Sequence, residues 1–226
     1  MQKGTQQMRD WDKARKACES IKSDLLECNN SLWAIEKFDV TEDDSNWFNL
    51  QERIGGFQGG SVREIKIGTY TRLVRTRKGS NERIYSKTVM SDTTAETRDL
   101  LPLARDAKGE VLIGGLGLGV AIDLVMQDKD VKHVTVIEIS QEIIDLVGKH
   151  FEDKHGDRLT IINADILEWK APKNVHYDYC WFDIWDDICA DNLKDMTKLK
   201  RKYAKKADKK GFWAYGECLR AQRRWG

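Results

Sequence analysis

The sequence predicts an α/β protein built on a doubly wound, mostly parallel sheet. From residue 110 onward, short apolar runs rich in β-branched residues alternate with helical patterns, as in parallel sheets that are buried on both faces. The first of these runs, 111–113, leads into the glycine-rich turn GGLGLG at 114–119. An apolar helical pattern follows from Val120, which completes a strand, turn and helix in one stretch.

Composition narrows the class of protein. With 226 residues, 40% hydrophobic and 33% charged, the chain has enough length for a globular core. Its net charge of +1 gives no overall attraction to nucleic acid. No apolar run approaches the roughly 20 residues of a membrane helix, and the N-terminus lacks the apolar core of a signal peptide. We therefore expect a cytoplasmic protein with no membrane partner.

Cysteine and histidine usage gives no sign of a metal centre. The five cysteines are scattered, odd in number and never arranged as CxxC, and the four histidines are widely separated. This pattern is typical of reduced thiols and not of a disulfide framework or a zinc site. We predict no metal.

Two regions are predicted. Residues 1–100 form an N-terminal region, and residues 101–226 form the domain that carries the parallel sheet. In the first region the patterns predict a helix over 1–30, a strand at 32–38, an acidic turn at 41–45 and a β-hairpin within 61–90 whose turn lies at 78–81. A cap at Ser91 or Asp92 would then begin a short helix.

In the second region, strands and helices alternate. Strands are predicted at 110–114, 133–138, 159–163, 177–183 and 211–215, and helices at 119–128, 140–151 and 192–207. Ser140 is the expected N-cap of the second helix. The chain stops soon after the fifth strand, which leaves three alternatives. The N-terminal hairpin completes the sheet, a partner chain completes it, or the sheet is truncated.

The glycine turn offers bare backbone to a ligand. Gly115, Gly117 and Gly119 lack a Cβ, and the helix that follows presents unpaired N–H groups. The spacing does not give the dinucleotide fingerprint, because Val120 or Ile122 stands where the third glycine would be. A phosphate-binding loop ending in Gly-Lys-Ser/Thr is also absent. The alternative is a tight strand-to-helix crossover that binds nothing.

Acidic residues end the strands that flank this turn, where ligands of such sheets bind. Glu138 ends the second strand, and its carboxylate can accept hydrogen bonds from both hydroxyls of a ribose. Capping of the next helix is the alternative, although Ser140 is better suited to that role.

The third and fourth strands are also followed by acids. Asp165 can accept from an adenine amine while Ile166 packs on the ring, or Asp165 can cap the short segment ILEW. Asp183 ends the fourth strand, and Asp186 and Asp187 follow it. For Asp186 and Asp187, the alternative is that they are solvated acids of a loop.

Together these segments resemble the class I S-adenosylmethionine-dependent methyltransferases, which have a Rossmann-like sheet. The resemblance covers about residues 110–185 and rests on VLIGGLGLG, VIEIS, NADIL and YDYCWFDIW. It is nearest to the spermidine-synthase-like branch, whose YDxxxxDxxD pattern is matched by Tyr177, Asp178, Asp183 and Asp186. The chain is also similar to small methyltransferase-like proteins of phage and bacterial genomes that share the segments MSDT and DIWDD.

The resemblance implies S-adenosylmethionine as cofactor. The residues that would bind it are Gly115, Gly117, Gly119, Glu138, Ile139, Asp165, Ile166 and Asp183. Asp183 would orient the methionine amine or accept a proton from a substrate amine, and Asp186 is the second catalytic candidate. Trp181, Trp185 and Tyr177 would lie near this edge, with Trp181 expected in the core.

Departures from the family pattern keep other functions open. Ile113 replaces the acid that many methyltransferases carry at the start of the turn, and Leu118 replaces the aspartate of aminopropyltransferases. Because Leu118 removes a carboxylate expected near a cationic amine, a methyltransferase with a small-molecule or amine acceptor is favoured over an aminopropyltransferase. The third alternative is a non-catalytic protein that binds an adenosine cofactor.

The segment 194–224 is the chain's most basic stretch. It holds twelve basic and three acidic residues interleaved with aromatic side chains. Such a pattern can bind a nucleic-acid backbone with an affinity that falls steeply with salt. We favour instead a solvated helix face that balances the acidic remainder of the chain, and leave a homo-oligomer open.

Overall fold

The computed structural model describes residues 2–56, 63–78 and 84–225. It groups the chain into two compact units. The first comprises Met1–Arg105 with Gly117–Val120, and the second comprises Asp106–Leu116 with Ala121–Gly226. The boundary expected at 100/101 falls five residues before the one in the structure.

The first unit contains a four-stranded antiparallel sheet. Its elements, in chain order, are α1 (Gln2–Ser20), β1 (Cys28–Asn29), β2 (Trp33–Val40), α2 (Glu42–Gly56), β3 (Gly68–Lys78), β4 (Ile84–Ser91), α3 (Thr94–Thr97) and α4 (Leu101–Asp106). The strand order is β1-β2-β3-β4. The predicted hairpin is confirmed as β3 and β4. Most of its turn, predicted at 78–81, lies outside the described residues.

The helix predicted over 1–30 is wrong in its last third, because α1 ends at Ser20. The Ser23 N–H donates to the carboxylate of Asp92 at 2.8 Å, so it is drawn to a distant partner and not to a helical carbonyl. Ile21 and Leu25 are buried in the core without a helix between them.

The predicted acidic turn at 41–45 is wrong, since these residues begin α2. Thr41 donates to Asp44 Oδ2 from its N–H at 3.0 Å and from its hydroxyl at 2.6 Å, and the Asp44 N–H donates back to Thr41 Oγ1 at 3.2 Å. These hydrogen bonds lower the pKa of Asp44. The acids Glu42, Asp43 and Asp44 also face the positive end of the helix dipole.

The cap predicted at Ser91 or Asp92 is one or two residues early, because Thr93 precedes α3. Asp92 is 1% exposed, and its carboxylate accepts from the backbone N–H groups of Ser23 and Thr71. The Ser91 hydroxyl donates to Glu96 at 2.7 Å. Asp92 therefore joins distant backbone segments of this unit, whereas Ser91 contacts α3 through Glu96 without being its N-cap.

The described part of the second unit is a five-stranded parallel sheet with helices in its connections, except between the third and fourth strands in chain order. Its elements, in chain order, are β5 (Gly109–Gly114), α5 (Val120–Met126), β6 (Val131–Glu138), α6 (Gln141–Ile143), α7 (Lys149–His155), β7 (Leu159–Asn163), β8 (Tyr177–Phe182), α8 (Asn192–Lys202), β9 (Ala207–Phe212) and α9 (Tyr215–Trp225). The strand order is β7-β6-β5-β8-β9, with every pair parallel.

This order confirms the predicted doubly wound fold. The chain builds outward from the central strand β5 through β6 to β7, and then crosses to β8 on the other side. The end of β5 is therefore a topological switch point, where the loops on the two sides diverge and leave a crevice. The glycine turn that follows β5 begins at that point.

The helix after β6 begins as predicted and is interrupted. Ser140 is its N-cap, and its hydroxyl oxygen accepts from the Ile143 N–H at 3.3 Å. A π-helical turn, Ile144–Gly148, separates α6 from α7. Such turns insert one extra residue into the helical repeat.

The end of the chain departs most from the sequence prediction. The helix predicted to 207 ends at Lys202, and the last strand lies at Ala207–Phe212 instead of 211–215. Only Ala207 and Phe212 of this strand are buried, so its hydrophobic pattern is weak. In the described residues no strand follows β9. The N-terminal hairpin pairs within the first sheet, so of the three alternatives the one in which it completes the parallel sheet is wrong.

Within the described residues, no helix has the length and apolar character required to cross a membrane.

Asp123 on α5 connects this helix to the end of α7. Its buried carboxylate lies 2.8 Å from Lys154 Nζ and 2.8 Å from His155 Nε2. We expect Asp123→Ala to lower the free energy of unfolding by about 2 kcal/mol or more, because it leaves two cationic or polar partners uncompensated. Urea unfolding measures this loss.

The control is Asp153→Ala, which removes an exposed carboxylate that pairs with Lys149 at 3.0 Å. Because both side chains are solvated, we expect no measurable change in unfolding free energy. Equal effects of the two substitutions would contradict the connecting role of Asp123.

Candidate functional site

The glycine turn adopts the backbone conformations that its sequence predicts. Gly115, Gly117 and Gly119 have φ values of +97°, +50° and +66°, a region that side chains disfavour. A Cβ on Gly115 would also overlap the carbonyl oxygen of Asp183. A Cβ on Gly117 would lie 2.6 Å from the Met90 sulfur. The chain's own packing thus requires glycine at Gly115, where the clash is with backbone, whereas at Gly117 the flexible Met90 side chain could shift and the positive φ is what favours glycine.

Glu138 holds the first part of this turn in place. It is 6% exposed, and its Oε2 accepts from the Leu116 N–H at 2.7 Å. Its Oε1 accepts from the Ser140 N–H at 2.8 Å. Each carboxylate oxygen has two acceptor positions, so the carboxylate retains capacity for the two hydroxyls of a ribose. The two sequence alternatives, ribose binding and support of the next helix, are therefore compatible.

Ile139 follows Glu138 and is the most accessible apolar side chain at this edge, with 69% exposure. Asn163, at the end of β7, donates from Nδ2 to the carbonyls of Glu138 and Ile139, both at 3.1 Å. Asn163 thus positions both residues from the neighbouring strand. The one sequence signal for this role of Asn163 is its position at the start of NADIL, and Asn163 was not among the predicted site residues.

Asp165 caps the short turn that follows β7. Its Oδ1 accepts from the Leu167 N–H at 2.8 Å, and its carbonyl accepts from the Trp169 N–H at 2.7 Å. The capping alternative is thus present in the structure, and the adenine role remains a prediction that would use Oδ2. Ile166 is 3% exposed within the core cluster, a placement that disfavours the predicted packing of this side chain on a ring.

Asp183 lies directly beside the glycine turn. Its N–H donates to the Gly114 carbonyl at 2.9 Å, which extends the pairing of β8 with β5 by one residue. Its side chain is half-buried, whereas Asp186 and Asp187 lie on the exposed loop beyond it. The structure therefore brings Asp183 next to Gly115 by backbone contact and leaves Asp186 farther along the loop.

The aromatic residues of this strand belong mainly to the core. Tyr177 and Trp181 are fully buried, as expected for Trp181. Burial raises the pKa of Tyr177 to about 12. Trp185 is half-buried, and in the described residues its indole Nε1 is enclosed without a hydrogen-bond partner.

The two departures from the family pattern occupy core positions. Ile113 is buried in β5 between Val136 and Trp181, and Leu118 is fully buried. A carboxylate at either place would lose its hydration and would need new partners. The apolar residues are therefore part of the packing.

Most basic side chains of the segment 194–224 have partners within the second unit. Lys194, Lys198, Lys209 and Arg220 pair with Asp191, Glu168, Asp106 and Glu217. Lys202, Lys206 and Lys210 donate to backbone carbonyls, with Lys206 reaching those of Pro172, Lys173 and Val175. Lys200 lies 3.6 Å from the centre of the Tyr215 ring. These contacts favour a structural role for the segment.

No family model matches the chain. Part of its sequence is similar to polyamine aminopropyltransferase 2 of Hyperthermus butylicus, with 28% identity over 91 residues. The match covers 38% of this chain and 30% of that protein's length. This similarity agrees with the resemblance to the spermidine-synthase-like branch, and the chain spans less than a third of that relative's length.

Several solved structures are similar to part of this chain. A dimethyladenosine transferase from Plasmodium falciparum has 22% identity and a TM-score of 0.36, with 48% of this chain and 35% of that chain covered. A spermidine synthase in complex with the transition-state analogue AdoDATO has 15% identity and a TM-score of 0.34, with 51% and 44% covered. An S-adenosylmethionine-dependent methyltransferase from Clostridium acetobutylicum has 15% identity and a TM-score of 0.35, with 47% and 42% covered. The strand order, and not these low scores, establishes the fold.

The supporting role of Glu138 can be measured by stability. In Glu138→Gln the amide group presents N–H to one of the two backbone donors, so we expect a loss of about 1–3 kcal/mol in the free energy of unfolding. Ser140→Ala, which removes the helix cap and the hydrogen bond from the Ser140 hydroxyl to Glu142, is expected to cost about 1 kcal/mol. Urea unfolding of both variants makes the comparison. A smaller loss for Glu138→Gln than for Ser140→Ala would show that Glu138 does not hold the turn.

Proposed function

We propose that the chain is a transferase that uses S-adenosylmethionine, and specifically a methyltransferase. The observation that carries this proposal is the arrangement at the switch point of the sheet. A turn of three positive-φ glycines follows β5, and acids follow β6, β7 and β8. An adenosine cofactor presents ribose hydroxyls, an amine on its base and, in S-adenosylmethionine, an α-amino group, each of which suits one of these acids.

The residues present fit this cofactor. Glu138 has acceptor positions beyond its two backbone partners, and Ile139 offers exposed apolar surface next to it. The turn 114–116 has no side chain that would obstruct a ligand except Leu116, which is buried. Asp165 would accept from the base through Oδ2. We assign Ile166 to the support of this edge, with Ile139 as the apolar side chain nearer to a base.

Methyl transfer requires little covalent chemistry from the protein. When bound, the cofactor supplies a methyl group activated by its sulfonium. The protein positions a nucleophile in line with that methyl. Asp183 is held beside Gly115 by its backbone, so its carboxylate would orient a cationic amine or accept its proton. Asp186 is the second candidate for the proton acceptor, on the exposed part of the loop.

An aminopropyltransferase is the second candidate function. The sequence similarity to the Hyperthermus butylicus polyamine aminopropyltransferase favours it. Leu118 opposes it, because the position is fully buried and apolar and offers no carboxylate to a polyamine. A non-catalytic protein that binds an adenosine cofactor is the third, and it is favoured by Ile113 and Leu118, which stand where related enzymes carry acids.

Calorimetric titration with S-adenosylmethionine and S-adenosylhomocysteine tests cofactor binding. We expect both to bind, and Glu138→Ala to weaken both by about 10- to 100-fold, since hydrogen bonds to a charged group are worth about 1.5–3 kcal/mol. Circular dichroism melting confirms that the variant is folded, and Glu138→Gln replaces it if it is not.

The matched control is Asp145→Ala, which removes an exposed carboxylate from the helical segment that follows β6 and is expected to bind normally. Absence of binding by the unaltered chain would overturn the cofactor proposal. Unchanged binding by Glu138→Ala would overturn the ribose assignment alone.

Product analysis separates the two transferase functions. With S-adenosylmethionine and a panel of amines we expect release of S-adenosylhomocysteine. With decarboxylated S-adenosylmethionine and putrescine we expect no spermidine, because Leu118 provides no charge for the polyamine. Asp183→Asn should lower methyl transfer by about 10²- to 10⁴-fold if Asp183 accepts a proton, while Asp187→Asn is the control on the same loop. Formation of spermidine by the unaltered chain would favour the second function.

A further inference from the structure

Two cysteines of the second unit meet at one buried side chain. Cys189 lies exposed on the loop after β8, and Cys218 is fully buried on α9. Asn192, the first residue of α8, lies between them. The Cys189 thiol donates to Asn192 Oδ1 at 3.1 Å, and Asn192 Nδ2 donates to Cys218 Sγ at 3.9 Å. Because both amide atoms are bonded to the same carbon, the two sulfur atoms face a single small group.

The environments of the two thiols differ. Burial raises the pKa of Cys218, so it remains a protonated thiol at neutral pH. Cys189 is the exposed member of the pair, and a dissolved reagent reaches it first. Elsewhere, burial raises the pKa of Cys18 and of Cys180 to about 12, and Cys28 is half-buried. The pair 189/218 is thus the place where an accessible thiol has a second thiol close by.

We propose that Cys189 and Cys218 are a disulfide-forming pair that reacts with low-molecular-weight disulfides such as oxidised glutathione. The Cys189 thiolate attacks one sulfur of glutathione disulfide, which forms a mixed disulfide and releases one glutathione thiolate. Cys218 then loses its proton and attacks the Cys189 sulfur, which releases the second glutathione. Two protein thiols are oxidised to one disulfide, and one glutathione disulfide is reduced to two thiols.

The bond would join the loop 183–191 to α9. Asn192 already holds this loop from the other side, since its Nδ2 donates to the Asp187 carbonyl at 2.8 Å. Disulfide formation removes the Cys189 hydrogen bond to Asn192 and replaces it with a covalent link across the same place. This inference is independent of the proposed cofactor, because it depends on Cys189, Asn192 and Cys218 alone.

Glutathione redox buffers test the pair in the full-length chain. After acid quenching and alkylation, we expect two of the five thiols to be lost together and a peptide that links Cys189 to Cys218. At half oxidation, the squared concentration of glutathione divided by the concentration of glutathione disulfide should be about 1 mM or greater. This is the range of effective concentrations for two groups held near each other. The proposal would be overturned if Cys189 carried a glutathione adduct and no protein disulfide at every ratio. It would also be overturned if other cysteines formed disulfides to the same extent.

Substitutions identify the partners. Cys189→Ser should abolish the linked peptide, and its exposed position makes a folding defect unexpected. Cys218→Ala should leave a stable glutathione adduct on Cys189, whereas Cys28→Ala should leave the link unchanged. Asn192→Ala should raise the equilibrium constant for disulfide formation by about tenfold, because the hydrogen bond from the Cys189 thiol exists only in the reduced state. Persistence of the same linked mass in Cys189→Ser would show that other cysteines form it.

Discussion

The close approach of Asp183 to Gly115 is the constraint on which the candidate site depends. The Asp183 N–H pairs with the Gly114 carbonyl, and its own carbonyl occupies the space where a Cβ on Gly115 would lie. The ends of β5 and β8 can therefore approach this closely only if residue 115 is glycine. On the other side of β5, Glu138 accepts from the Leu116 N–H and fixes the next residue of the turn. Two neighbouring strands thus hold the turn from both sides.

The parallel sheet was predictable because its signals are local and strong. The strands are continuous apolar runs, and Ser140 and the glycine spacing mark where helices begin. The positions of Glu138, Asp165 and Asp183 follow from the rule that ligands bind at the carboxyl ends of parallel strands. Their partners did not follow, because Leu116, Ser140 and Asn163 contact these residues through backbone geometry that a linear pattern does not contain.

The N-terminal unit was less predictable because distant contacts override local patterns there. The Ser23 N–H reaches the buried carboxylate of Asp92, which lies 69 positions along the chain, and α1 ends before it. The acidic residues at the start of α2 predict a turn from sequence. In the structure, the reciprocal hydrogen bonds between Thr41 and Asp44 cap a helix instead. In both places a side chain forms a hydrogen bond with a backbone group, and single-residue propensities do not include such contacts.

The lysines of β9 have a further consequence for association. In the described residues this strand pairs with β8 alone, so its outer edge presents unpaired backbone groups. Such an edge is a template on which a strand from another molecule can add. Asp208, Lys209 and Lys210 put charge along a strand of only six residues, and pairing by a second chain would have to desolvate it. These charges, which belong to the segment 194–224, therefore oppose the addition of a further strand at this edge.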